Sequence, residues 1–151
     1  MYVTRRKLFA LSAGAATAGM FAFAPGRAFA TVEATEKALA DFTGGKTPET
    51  GKITLTAPEI AENGNTVPIS VDVESPMTDD SYVESVTIFA EGNPNPEVAT
   101  FHFTPMSGAA AATTRIRLAK TQNVIAVAKM SDGSTYSDRK EVKVTIGGCG
   151  G

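Results

Sequence analysis

The sequence predicts an all-β fold: an immunoglobulin-like antiparallel β-sandwich with a short N-terminal helix and a flexible C-terminal Gly-Gly-Cys-Gly-Gly arm. Three observations carry the prediction. After Pro48 the apolar residues recur with a period of two, as they do in strands with one buried and one wet face. Clusters of Gly, Pro, Asn and Asp divide this pattern into roughly seven runs, the strand count of a sandwich. The last run stops at Ile146, and only Gly147, Gly148, Cys149, Gly150 and Gly151 follow it. The cysteine pair and tryptophan of true immunoglobulin domains are absent, since the chain has one Cys and no Trp, so the prediction concerns architecture alone.

Residues 1–30 stand apart from the fold. Thr4-Arg5-Arg6-Lys7 is basic, Leu8 to Ala24 is apolar and Ala-rich, and Ala28-Phe29-Ala30 offers small residues to a signal peptidase. This is an export signal, and the adjacent Arg5 and Arg6 resemble the twin-arginine type, although Leu8-Phe9 replaces the commoner Phe-Leu. Cleavage between Ala30 and Thr31 leaves a periplasmic protein with no membrane attachment. The competing reading, a membrane anchor, is opposed by the Gly and Ala content of a run barely long enough to span. The domain organisation is then 1–30 signal, 31–146 sandwich with its helix, and 147–151 arm. Removing Arg5, Arg6, Lys7 and Arg27 leaves 14 − 4 = 10 bases against 16 acids, a net charge of −6. Such a surface disfavours nucleic acid and anionic membranes as partners.

In chain order, Thr31 to Phe42 reads as a helix, with Val32, Leu39 and Phe42 on one face and Gly44-Gly45 as its stop. Ile53 and Leu55 alternate with threonines. Val67, Ile69, Val71 and Val73 form the clearest half-buried strand, with Pro68 marking an edge or a strand start. Asp79-Asp80 reads as a solvated turn. Tyr82 to Ala90 is a strand with Val86 and Ile88 inward, and Asn93-Pro94-Asn95-Pro96 is a loop. Val98 to Phe103 puts Phe101 and Phe103 on one face and His102 on the wet one. Ala109 to Ala112 reads as a low-complexity loop. Thr114, Ile116 and Leu118 then alternate with the outward Arg115 and Arg117. Val124 to Met130 is nearly continuously apolar and so central in its sheet. Ser131-Asp132-Gly133-Ser134 is a hairpin turn. Lys140 to Ile146 is the last strand, with Val142, Val144 and Ile146 inward.

Chemistry concentrates in Cys149. Glycine is the least restricted residue, so Gly147, Gly148, Gly150 and Gly151 read as a tether that carries the thiol into a partner's pocket. Extended, five residues reach roughly 17 Å. No basic residue lies near Cys149 in sequence, so at an ordinary pKa of about 8.5 only a few per cent is thiolate at neutral pH. The thiol therefore waits for partner enzymes to activate it. One Cys and one His cannot close a metal site. No catalytic triad, phosphate loop or dinucleotide fingerprint is present. His102, Arg115 and Arg117 read as surface residues first and as ligands or anion contacts second.

The Gly147-Gly148-Cys149-Gly150-Gly151 terminus, the twin-arginine-like signal, Thr114-Arg115-Ile116-Arg117-Leu118, Val124-Ile125-Ala126-Val127-Ala128 and Met130-Ser131-Asp132-Gly133 resemble the SoxY family of bacterial sulfur carriers. The resemblance implies a periplasmic carrier, itself no enzyme, that holds thiosulfate-derived and sulfane sulfur covalently on Cys149 and needs no other cofactor. It also implies a heterodimer with a SoxZ-like subunit. The partner enzymes it implies are a SoxXA-like c-type cytochrome, a SoxB-like hydrolase and a SoxCD-like dehydrogenase. Three other readings stay open: an exported sandwich that only binds or scaffolds, a carrier using the Gly150-Gly151 carboxylate, and a thiol redox protein. The export signal opposes the second, and the lack of a second cysteine opposes the third.

Because Cys149 lies beyond the last expected strand, Cys149→Ser is expected to leave the melting temperature of the mature protein unchanged. A thermal melt several degrees lower would show instead that the thiol is part of the packed structure.

Overall fold

Apolar β-branched residues placed on alternate sides of an extended chain have to be covered twice when the run is continuous, and once when it alternates. Both cases occur here. A computed structural model describes residues 32–148. Arg5, Arg6, Ala30, Thr31, Cys149, Gly150 and Gly151 lie outside the described residues. The elements in order are α1 (Val32–Thr43), β1 (Glu49–Thr50), β2 (Ile53–Thr56), β3 (Ile60–Asn63), β4 (Val67–Val73), β5 (Val83–Ala90), β6 (Glu97–His102), β7 (Ala110–Ile116), β8 (Gln122–Met130) and β9 (Thr135–Ile146). A single 3₁₀ turn, Pro105–Ser107, precedes β7.

One sheet runs β1-β9-β8-β5-β6, and the other runs β2-β4-β7. Their inner faces make the core. Ile53 and Leu55, the four apolar residues Val67, Ile69, Val71 and Val73, and Ile116 from the smaller sheet meet Val86, Ile88, Val124, Ala126, Ala128 and Val142 from the larger. β5 and β8 are covered on their outer faces as well. There Phe89, Ile125 and Val127 pack beneath Ala38, Leu39 and Phe42 of α1. The rings of Phe42 and Phe89 meet edge to face, with centroids 6.1 Å apart. Double coverage explains why apolar residues occupy both faces of these strands, as Ile88-Phe89-Ala90 and Val124 to Ala128 do. The β8–β9 hairpin closes on Gly133, at φ 81°, where Met130 N–H donates to Ser134 O at 2.9 Å. Asp132 accepts from the Ser134 hydroxyl and N–H, and these bonds hold its pKa below the ordinary carboxylate value.

The long β9 carries two short strands on its outer edge, both parallel to it. β1 pairs with Tyr136 and Ser137, and β3 pairs with Lys143 to Ile146. Between them the Asp138 carboxylate accepts from Leu55 N–H at 2.9 Å, tying the smaller sheet to the larger. The sandwich expected from sequence is therefore present, but two of its pairings are parallel. β1 and β3 are too short to show a period.

Three local expectations are corrected, and for Pro68 the structure decides between two. Ala110–Ala112 is not a loop: it is the first half of β7, in register with Val73, Asp72 and Val71. Alanine has a weak strand preference, and a paired neighbour overrides it. Ile146 is not inward but 66 % exposed: along that face burial falls from Val142 through half-buried Val144 as β9 runs out of the core. Val32 is 55 % exposed on the first turn of α1 and takes no part in its buried face. Pro68 sits on the central strand of its sheet, at its start, beyond the point where pairing with β2 ends at Ser70. The expected edge position is not found; the expected strand start is.

Phe89 is fully buried between the sheet and α1. Phe89→Ala is expected to cost about 3–5 kcal/mol in urea unfolding and to loosen α1, read as lost helical signal before the main transition. A cost below about 1 kcal/mol would mean that the helix is not held by this contact.

Candidate functional site

β9 brings the chain to within three residues of Cys149, and what receives it there is backbone. The last pair of the parallel ladder is Asn63 with Ile146. Immediately after β3, Gly64 N–H donates to Ile146 O at 2.7 Å. Gly64 O in turn accepts from Leu118 N–H at 2.8 Å, and Leu118 O accepts from Gly148 N–H at 2.9 Å. Three chain segments, 63–65, 117–119 and 146–148, thus close on one another through their main chains.

Only glycine allows an approach this close. A Cβ on Gly64 would collide with Leu118 O and stand 2.7 Å from Gly148 N. A Cβ on Gly147 would collide with Ala119 O, and one on Gly148 would stand 2.8 Å from Gly64 O. Gly64 and Gly148 are both buried. The sequence reading placed Gly147 and Gly148 in the flexible arm; the structure bonds Gly148 N–H to Leu118 O and sets Gly147 against Ala119 O, so at these two positions the lack of a side chain also serves contact. The physical reason is steric, since any larger residue would push the two backbones apart.

The 117–122 segment that receives them is itself held by buried amides. Asn93 Nδ2 donates to Arg117 O at 2.7 Å, and its Oδ1 accepts from Ala119 N–H and from Gln122 Nε2, both at 3.0 Å. Gln122 Nε2 also donates to Lys120 O at 2.9 Å, and its Oε1 accepts from Gly92 N–H at 2.7 Å. Leu118 is fully buried in the core. Thr121 Oγ1 accepts from Val144 N–H at 2.9 Å, adding a second tie between this segment and the end of β9.

Other candidate residues stay apart from this junction. His102 is exposed on β6, as expected. Arg115 and Arg117 are exposed and line an open hollow of about 410 Å³ between β6 and β7, with Asn93 and Glu97 on its rim. Asp79 and Asp80 occupy a solvated turn closed by the Thr78–Ser81 bridge. Among the described residues no group of three or more His, Cys, Asp or Glu side chains could hold a metal ion. Among the same residues no helix is long and apolar enough to cross a membrane. The residues missed by the sequence reading are Gly64, Asn93 and Gln122. Asn63-Gly64-Asn65 looks like any turn, and amides that act across more than twenty residues leave no local signature.

The family described as "Sulfur oxidation protein SoxY" matches residues 39–149. Among solved structures, the sulfur carrier protein SoxY from Chlorobium limicola f thiosulfatophilum is 36% identical, with a TM-score of 0.60 over 74% of this chain and 96% of that one. A superoxide reductase (neelaredoxin) from Ignicoccus hospitalis is 21% identical, with a TM-score of 0.56 over 81% of this chain and 99% of that one. At that identity the second likeness shows a shared fold alone. No curated protein matches the chain by sequence.

Proposed function

The chain belongs to the SoxY family, and from that premise we propose that it is a periplasmic carrier which holds sulfur intermediates covalently on Cys149 during sulfur oxidation. The observation that carries this reading is the family match, which runs through Cys149 itself. The description of the solved relative as a sulfur carrier supports it. So does the position of the sole cysteine, one residue past the backbone junction at Gly148.

The chemistry divides between this chain and its partners. Cys149 supplies a sulfur nucleophile, which reacts as the thiolate, and a partner activates it. Joining thiosulfate to the thiol forms one S–S bond, releases the thiol proton and removes two electrons. A c-type cytochrome is the class of partner that accepts them. The product is a cysteine S-thiosulfonate. A hydrolase then adds water to its terminal sulfone, which leaves as sulfate and keeps the sulfane sulfur on Cys149. A dehydrogenase oxidises that sulfur further, or an acceptor takes it. Each step is done to the carrier, so this chain needs reach and access and no resident cofactor. Its signal at 1–30, with Arg5 and Arg6, accounts for export, and a SoxZ-like subunit is the expected stable partner.

Intact mass of the protein recovered from cells grown with and without thiosulfate tests the reading. Adducts are expected only with thiosulfate, are expected to disappear on treatment with a thiol reductant, and are expected to be absent from Cys149→Ser. An adduct that survives Cys149→Ser, or none in the wild-type chain, would contradict it.

A further inference from the structure

The junction of Gly64, Leu118 and Gly148 carries more than stability. We propose that Gly64 and Asn93 are positioning residues for the carrier cysteine: acting through the Leu118 backbone, they fix the point and direction from which the chain leaves the sandwich toward Cys149. The proposal rests on the reading of Cys149 as the sulfur-bearing residue and adds to it the part of the molecule that aims it.

The argument starts from the last anchored amide. Gly148 N–H is bonded to Leu118 O at 2.9 Å. Consecutive Cα atoms are about 3.8 Å apart across a trans peptide, so the residue bearing the thiol begins one such step from a fixed point. Its placement relative to the sandwich depends on a handful of torsions and on where Leu118 O stands.

Leu118 O is set from both sides. Its own side chain is fully buried, and its N–H is engaged by Gly64 O. The Asn93 amide straddles it, with Nδ2 on Arg117 O and Oδ1 on Ala119 N–H. A single planar amide therefore fixes the two peptide groups that flank Leu118. Gln122 holds that amide in turn through its own Nε2. On the opposite side Gly64 admits both Leu118 and Gly148 only because it has no Cβ.

Loss of either grip has a defined consequence. With Gly64→Ala the added methyl would meet Leu118 O, and Gly148 has to move away. With Asn93→Ala the Ala119 N–H and Arg117 O lose their Asn93 partner, and the 117–119 segment loses one of its two grips. On the proposed function several enzymes have to find the same sulfur, and an enzyme that docks on the sandwich meets it only where the chain's exit point puts it. For all of them the arm's root has to be in one place, because a misplacement of about 1 Å can cost on the order of 10²-fold in rate. A small reagent that meets the thiol in solution has no such requirement.

The test uses the mature full-length chain, as wild type, Gly64→Ala and Asn93→Ala, with three measurements on each. These are hydrogen exchange of the Gly148 amide by NMR, loading of Cys149 from thiosulfate by a periplasmic extract lacking this protein, and alkylation of Cys149 by iodoacetamide. The variants are expected to lose at least about tenfold of Gly148 protection and to load about 10- to 100-fold more slowly. Alkylation is expected to stay within about twofold of wild type, since the thiol's chemistry is untouched. Loading that is unchanged or faster in a variant with a released Gly148 amide would overturn the proposal. Parallel loss of loading and alkylation would do so too, as would Gly148 protection that neither variant alters. If Gly64→Ala fails to fold, Asn93→Ala carries the same comparison. Absence of loading in the wild-type chain would defeat the carrier reading itself, an outcome distinct from normal wild-type loading with unchanged variants.

Discussion

Three main-chain hydrogen bonds in series, from Gly64 to Ile146, from Leu118 to Gly64 and from Gly148 to Leu118, decide where the sandwich stops and its tail starts. None involves a charged group, and each depends on backbones coming closer than a side chain permits. A net main-chain bond contributes only about 0.5–1.5 kcal/mol. Here the sterics matter more than the sum. A junction lined by glycines has one close-packed arrangement, and displacing any segment leaves buried N–H or C=O groups without partners. The rest of the molecule supplies the rigidity that makes such a junction hold. β8 lies at the middle of the larger sheet, covered by the smaller sheet on one face and by α1 on the other, and β9 pairs along it for eight residues. The strand that ends at the junction is thus fixed along most of its length.

This arrangement suits a carrier. The family is one of sulfur carriers, and the described residues place backbone contacts, not a cluster of reactive side chains, next to the segment that leads to Cys149. On the proposed reading, what the protein controls is the place at which the sulfur is offered. The likeness to superoxide reductases makes the same point from the other side. The sandwich is shared at 21% identity, and a shared sandwich says nothing of the task done at its end.

Much of the fold was legible because burial leaves a period. Val67 to Val73 alternated and became the central strand of the smaller sheet, and Val124 to Ala128 ran unbroken and became the spine of the larger. Asp132-Gly133 announced the hairpin that it closes. Short or weak segments were not legible. β1 and β3 span too few residues to show a pattern, and the alanines of β7 are strand only because Val71 to Val73 lie beside them. The site was half legible. Cys149 stood out by composition and context, and so did the glycines around it. Those glycines were credited with freedom, while Gly147 and Gly148 serve contact. The difference lies in Ala119 and Gly64, which are distant in sequence and near in space. For the same reason nothing pointed to Asn93, whose role is defined by a segment more than twenty residues away.

The most direct test of a fixed root is backbone ¹⁵N relaxation on the mature chain. If the junction holds, Gly147 and Gly148 give order parameters near those of β9, about 0.85. Values below about 0.6 at these two residues would mean that the tail is already loose at Ile146, and the account of a positioned carrier would be wrong.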